Sequence, residues 1–183
     1  MSTARRIFDI AGALAGLVVF APVMAVISMA ILIDDGRPVL FRQERLGYRR
    51  RPFAILKFRS MRNDRATRVG RLLRVTGLDE VPQFINILRG EMSAVGPRPL
   101  TREDVVRLGW DEAAFDFRWS CKPRLTGVAQ LVGAESNRLS LDLDRIHTRT
   151  WNPMLDCRLI AWSFAVNAFG KERVRRRLRR RYP

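Results

Sequence analysis

An uncharged apolar run from Ala11 to Ile33 constrains this chain more than any other feature. Its 23 residues are interrupted only by Gly12, Gly16, Pro22 and Ser28. A helix of that length reaches across a hydrocarbon core of about 30 Å. A cleavable export signal has a shorter apolar region and a small-x-small cleavage site. Ile31-Leu-Ile-Asp-Asp35 is a poor cleavage site, so the run reads as a resident membrane element. Pro22 lies near its midpoint, where it removes a backbone hydrogen bond and clashes with the preceding turn, favouring a kink. Basic residues flank both ends: Arg5 and Arg6 before, and Arg37, Arg42, Arg45, Arg49, Arg50 and Arg51 after. Cationic flanks prefer the cytoplasm. A straight span must export one set, whereas a re-entrant helix bending at Pro22 keeps both inside. Because spanning helices tolerate proline, the residues alone leave both readings open.

The remainder suits one domain with its own core in a chain of 183 residues. Lys and Arg number 34 against 18 Asp and Glu, a net charge of +16. That balance attracts polyanions, whether nucleic acid, anionic lipid or nucleotide phosphates. Arginine outnumbers lysine, which fits bidentate phosphate contacts. Cys121 and Cys157 form no CxxC pair and no disulfide framework, so a reducing compartment is the default. His147 is the only histidine. A His-rich zinc site or a Ser-His-Asp triad is therefore disfavoured, and chemistry must rest on carboxylates and arginines.

A turn from Gly36 leads into a short strand ending near Gln43, and Phe53 to Ser60 reads as a second strand, so a hairpin is expected. Period-2 alternation puts Lys57 and Arg59 on one face, either as a solvated face or as phosphate ligands. Arg68 to Arg74 has a basic helical character. In Thr76-Gly-Leu-Asp-Glu-Val-Pro-Gln-Phe84, Pro82 predicts a helix starting at about Asp79 or Glu80 and stopping at Gly90. Asp79-Glu80 would then lie at the positive end of the helix dipole, where anions are favoured. Taken alone, Asp79 is as well explained as a helix cap. Val95-Gly-Pro-Arg-Pro99 brackets Arg98 with two prolines, which stiffen its backbone. Thr101 to Trp119 reads as helical, Lys122 to Gly127 as a turn-rich loop, and Met154 to Phe169 as a final apolar helix, in the core or at a membrane interface. The tail from Lys171 to Pro183 carries eight basic residues. With an apolar anchor already present, anionic lipid is its expected partner rather than nucleic acid.

Six segments, taken in order, resemble the bacterial sugar transferases, more fully the monotopic polyprenyl-phosphate phosphoglycosyl transferases in their small single-domain form. They are Arg6-Ile-Phe-Asp9, Phe41-Arg-Gln-Glu-Arg-Leu-Gly47, Lys57-Phe-Arg-Ser-Met61, Leu78-Asp-Glu-Val-Pro-Gln-Phe-Ile-Asn86, Arg89-Gly-Glu-Met-Ser-Ala-Val-Gly-Pro-Arg-Pro-Leu100 and Pro123-Arg-Leu-Thr-Gly-Val-Ala-Gln130. The resemblance implies an α+β fold, mainly helical with a small β-hairpin. It implies an N-terminal re-entrant membrane helix (1–35) broken at Pro22, and a cytosol-facing catalytic domain (36–183) ending in an interfacial helix and basic tail. The implied reaction passes a phosphosugar from a UDP-sugar to polyprenyl phosphate at the cytoplasmic face of the inner membrane, an opening step of exopolysaccharide assembly. By the same resemblance, Asp79 is the nucleophile, Glu80 its metal-side partner, and both hold Mg2+. Arg74 and Arg98 correspond to family arginines that stabilise phosphate charge, with Lys57 and Arg59 as further candidates. A homo-oligomer is left open. The competing reading is a membrane-anchored basic binding or scaffold protein without catalysis. This chain departs from the family at Arg124, where the family usually has glycine, at Val128, often tryptophan, and from Leu131 to Ser136.

Overall fold

The computed structural model describes residues 3–126, 141, 154 and 156–162. The apolar run forms α1 (Thr3–Asp35), one helix with Pro22 inside it. The break expected at Pro22 is therefore not a gap in helical structure. Proline forfeits one backbone donor, but the turns on either side are held from outside. Asp9, Ala13, Gly16, Phe20, Met24, Ile27 and Ile31 all meet the rest of the protein, each three or four residues after the last. That spacing is the helical repeat, and it passes Pro22 without slipping. Gly16 permits the closest approach, because a Cβ there would stand 2.8 Å from the Phe84 ring.

The other side of α1 exposes Ile7, Leu14, Val18, Val26, Met29 and Ile33. Leaving apolar surface in water costs about 25 cal/mol per Å², and so large a patch marks a surface meant to be covered. α1 is long and apolar enough to cross a membrane, yet its other stripe is packed on the body from end to end. The fold is thus α+β with a membrane-like N-terminal helix.

Both ends of α1 are tied by charge. Near its start, the Arg6 guanidinium donates to the Ile87 and Leu88 carbonyls at 2.6 and 2.7 Å. The Asp9 carboxylate accepts from the Ser93 hydroxyl at 2.6 Å and the Ala94 N–H at 3.0 Å. At its end, Asp34 accepts from the Val69 N–H at 3.1 Å, and Asp35 pairs with Arg59 at 2.8 Å and Arg62 at 3.0 Å.

The expected hairpin is β1 (Leu40–Leu46) against β2 (Pro52–Phe58), antiparallel, with Leu40 opposite Phe58 and Leu46 opposite Pro52. A two-residue ladder, β3 (Met61–Arg62) and β4 (Arg65–Ala66), leads to α2 (Arg68–Thr76). A 3-10 turn (Leu78–Glu80) then joins α2 to α3 (Gln83–Arg89). Asn86 of α3 is fully buried and clamps β2: its Oδ1 accepts from the Leu56 N–H at 2.9 Å and its Nδ2 donates to the Ala54 carbonyl at 2.8 Å. These bonds satisfy part of a strand edge that would otherwise invite pairing with another chain. Ile55, Ile87 and Met92 pack with Ala13 in one cluster, and Phe58 and Leu73 with Ile27 and Ile31 in another.

Two expectations need correction. Thr101 to Trp119 is not one helix: α4 (Arg102–Leu108) starts on a Thr101–Asp104 capping box and ends at Gly109, and a 3-10 segment (Ala113–Ser120) follows. The segment from Lys122 is not simply a loop. Its residues Arg124–Thr126 form β6, parallel to β5 (Ser93–Val95), with Ser93 opposite Arg124 and Val95 opposite Thr126. Three-residue strands are too short for periodicity to reveal. Of the final helix, residues 154 and 156–162 are helical. His147, Gly127, Val128, Leu131 to Ser136 and the basic tail lie outside the described residues.

Candidate active site

The Asp79-Glu80 pair does not open α3 as expected. It occupies the 3-10 turn before it, with Pro82 as the residue flanking α3. α2 ends at Gly77, in the left-handed region at φ 72°, and bonds from Glu80 to Gly77 and from Val81 to Leu78 make the tighter turn. Pro82 has no N–H to continue the ladder, so the α-helix restarts only beyond it. The turn directs the two neighbouring carboxylates into different surroundings.

Glu80 faces β2. Its Oε1 lies 2.6 Å from Lys57 Nζ, a half-buried ion pair. Asp79 is only 9% exposed, and among the described residues no side chain hydrogen-bonds or ion-pairs with its carboxylate. Burial pushes the Asp79 carboxyl above the usual range, and repulsion from Glu80 adds to this, while Lys57 and Arg74 pull the other way. Arg74, in the last turn of α2, is exposed; its Nη1 stands 3.2 Å from Met61 Sδ, a weak acceptor. It therefore retains most of its capacity to bind an anion.

Arg98 is the only exposed residue between Val95 and Leu100. The loop beneath it is fixed: Arg118 Nη2 donates to the Arg98 carbonyl at 3.2 Å, and the Arg118 guanidinium sits 4.5 Å over the Trp110 ring. Arg98, Lys57 and Glu80 line one small, partly open cleft with Arg45, Gln83 and Arg124. Lys57, Glu80 and Arg98 are thus brought together, with Asp79 and Arg74 at their flank through charge.

Arg59 is placed elsewhere. It follows the last residue of β2, and its guanidinium holds the end of α1 through the Asp35 carboxylate and the carbonyls of Asp35, Gly36 and Arg37. A cation at that position also complements the negative end of the helix dipole. Lys57 and Arg59 look alike in the sequence and part company at the strand end.

Sequence reasoning missed three cleft residues. Arg45 is held by Asp104 at 3.2 Å and Gln43 at 2.6 Å. Gln83 is buried on the cleft wall. Arg124 stood out only as a departure from the family pattern. Arg45 and Gln83 lie within the quoted family segments, which was the one available signal.

Magnesium was the expected cofactor. Among the described residues, no group of three or more His, Cys, Asp or Glu side chains converges. Two adjacent carboxylates, one without a side-chain partner among those residues, fit a cation that takes one or two protein carboxylates and completes its shell with water and substrate phosphates. They do not fit an all-protein cage.

Comparison with known proteins adds an independent line. The pattern of the family described as bacterial sugar transferase matches residues 1–170. The chain is 35% identical over 181 residues to a UDP-glucose:undecaprenyl-phosphate glucose-1-phosphate transferase of Caulobacter vibrioides, covering 85% of this chain and 66% of that protein. It is 35% identical over 192 residues to an undecaprenyl-phosphate glucose phosphotransferase of Komagataeibacter xylinus, covering 91% and 36%. It is 37% identical over 149 residues to the exopolysaccharide production protein PSS of Rhizobium leguminosarum, covering 70% and 74%. The chain thus spans 66% and 36% of the first two relatives' lengths.

Proposed function

This chain belongs to the bacterial sugar transferase family, and from that premise we propose that it transfers a phosphosugar from a UDP-sugar to polyprenyl phosphate at the cytoplasmic face of the membrane, opening the assembly of an exopolysaccharide. The observation that carries the reading is the contrast inside the dyad. Asp79 is a buried carboxylate with no side-chain partner among the described residues, next to a Glu80 already closed by Lys57, on the flank of a cleft dominated by cations. The names of its relatives support the substrate pair.

The chemistry follows from these environments. An Asp79 oxygen attacks the sugar-linked phosphorus of the donor, the phosphoanhydride bond to the nucleotide breaks, and UMP leaves with that electron pair. The phosphosugar then resides on Asp79 as an acyl phosphate. A phosphate oxygen of the polyprenyl acceptor attacks the same phosphorus, the bond to Asp79 breaks, and the carboxylate is restored. A carboxylate with few hydrogen bonds is a better nucleophile than one already satisfied, which separates Asp79 from Glu80. Phosphoryl transfer depends mainly on position and neutralised charge, and Arg74, Arg98 and Lys57 supply three cations around the transferred group. Asp79 and Glu80 would hold Mg2+, whose charge offsets that of the diphosphate.

Membrane placement follows the same logic. The acceptor phosphate lies at headgroup level, so the cleft must too. Both ends of α1 are tied to one body, which supports a re-entrant helix with its bend at Pro22 and both basic flanks on one side. Cysteines placed before and after Pro22 should then be labelled from the same membrane face; labelling from opposite faces would rule out the re-entrant arrangement.

The activity is tested by UMP release from a panel of UDP-sugars with polyprenyl phosphate and Mg2+, beside Asp79→Asn. Release that requires Asp79 supports the reading. Near wild-type release by Asp79→Asn removes the nucleophile, and no release with any donor leaves a basic membrane-bound scaffold.

A further inference from the structure

Arg124 is charged and buried, and among the described residues its side chain makes no hydrogen bond or ion pair. It sits in β6 and is only 2% exposed. Among the described residues, its Nε and Nη1 have no hydrogen-bond partner. The nearby carboxylates are already engaged: Asp9 accepts from Ser93 and Ala94, and Asp156 pairs with Arg5 at 3.9 Å. Burial lowers the Arg124 pKa to about 10, with Arg5 contributing in the same direction and Cys121, Asp156 and Asp9 opposing it, so the guanidinium remains charged at neutral pH. A buried cation whose donors are unsatisfied is costly even with carboxylates near by, and arginine is rarely kept in such a place without an anion to meet.

Structural duty does not account for it. The Arg124 N–H donates to the Pro97 carbonyl at 3.0 Å, but that bond is made by the backbone and suits any residue other than proline. The side chain instead lies against Gly96, whose φ of 147° favours glycine and whose Cβ, were there one, would collide with the guanidinium. The loop that displays Arg98 thus leaves room for the guanidinium beneath it. Arg124 also lines the cleft that holds Arg98, Lys57 and Glu80. Of the four cations there, Lys57 is closed by Glu80 and Arg45 by Asp104. Arg98 and Arg124 are the two without a side-chain ion pair among the described residues.

We propose that Arg124 is a phosphate-binding residue of the cleft, taking an oxyanion together with Arg98. This rests on the reading of the cleft as a site for phosphorylated substrates. It assigns a role to the position where this chain departs from its family's glycine. Two sources carry the same chemistry: the donor's diphosphate and the acceptor's phosphate.

The test is calorimetric binding of inorganic pyrophosphate and of farnesyl phosphate to the full chain in detergent micelles, for wild type and Arg124→Gln. Loss of one charge-assisted hydrogen bond predicts a fall in affinity of about tenfold or more. A fall for pyrophosphate assigns the donor's diphosphate, and a fall for farnesyl phosphate assigns the lipid acceptor. Wild-type affinity for both probes in Arg124→Gln, or no binding by wild type, overturns the proposal. If Arg124→Gln does not fold, Arg124→Lys serves, because it keeps the charge but loses the two-pronged donor. An intermediate fall, about threefold, supports the site, and an unchanged affinity overturns it. UMP release separates this proposal from the enzymatic one. Arg124-dependent pyrophosphate binding without any release would sink the activity and leave the site standing, whereas release with Arg124-independent binding would do the reverse.

Discussion

The carboxylates that fasten α1 are closed, whereas the cleft and its flank pair some charges and leave three open. At the anchors, each acidic group is closed: Asp9 accepts from a hydroxyl and a backbone N–H, and Asp35 meets two arginines. At the cleft, Asp79, Arg98 and Arg124 are left without ion pairs among the described residues. Closed groups contribute to stability, because removing one partner strands another in a buried place. Open groups cost stability and hold binding capacity in reserve. The difference separates scaffold from chemistry among side chains of the same types.

Substitutions at the two regions should therefore fail in different assays. The largest effect is expected from Asp79→Asn: if Asp79 is the proposed nucleophile, UMP release should fall by about a thousandfold or more, while the thermal midpoint does not drop. A midpoint that falls with activity would make Asp79 a structural residue and erase the contrast. Arg98→Ala should lower kcat/KM by roughly a hundredfold through lost transition-state charge stabilisation, again with little change in unfolding.

Asp9→Ala should do the reverse. It leaves the Ser93 hydroxyl and Ala94 N–H unpaired, so urea unfolding should show a loss of about 1–3 kcal/mol, with kcat per folded molecule kept within about twofold. Arg59→Ala should follow Asp9→Ala rather than Arg98→Ala, losing stability without raising the donor KM. A raised KM would return Arg59 to the phosphate site.

The smallest effect is in the pH dependence of stability, with divalent cations removed by EDTA. Burial raises the folded-state pKa of Asp79 above its unfolded value. The folded state then binds more protons between those two values, so the contribution of Asp79 to stability is present below the unfolded pKa and is lost as pH rises through the folded one. Asp79→Asn should flatten that slope. An equal slope in both proteins would mean that burial does not hold Asp79 in its neutral form as described.

The sequence disclosed the long apolar helix and the hairpin because both carry their signal locally, in an uninterrupted apolar run and in two alternating segments. It offered Asp79, Glu80, Arg74 and Arg98 as candidates only through the family resemblance, since adjacent carboxylates alone are explained as well by a helix cap. It did not disclose that Gly109 ends α4 and divides the stretch once read as a single helix, or that the turn at Leu78–Glu80 comes before α3 rather than within it. Those outcomes depend on a left-handed glycine and a missing proline N–H, acting in competition with helix-forming neighbours.

The sequence by itself therefore determined that a long apolar helix precedes a basic α+β body, and which residue types are available for phosphate chemistry. Tertiary structure alone decided how those charges were shared out. Lys57 reaches Glu80 and Arg59 reaches Asp35, although they stand two residues apart. β6 pairs with β5 from about 30 residues away and carries Arg124 beneath Gly96. Partners of a charge are chosen by distance in space, and in a chain whose contacts join remote segments that distance cannot be read from sequence spacing.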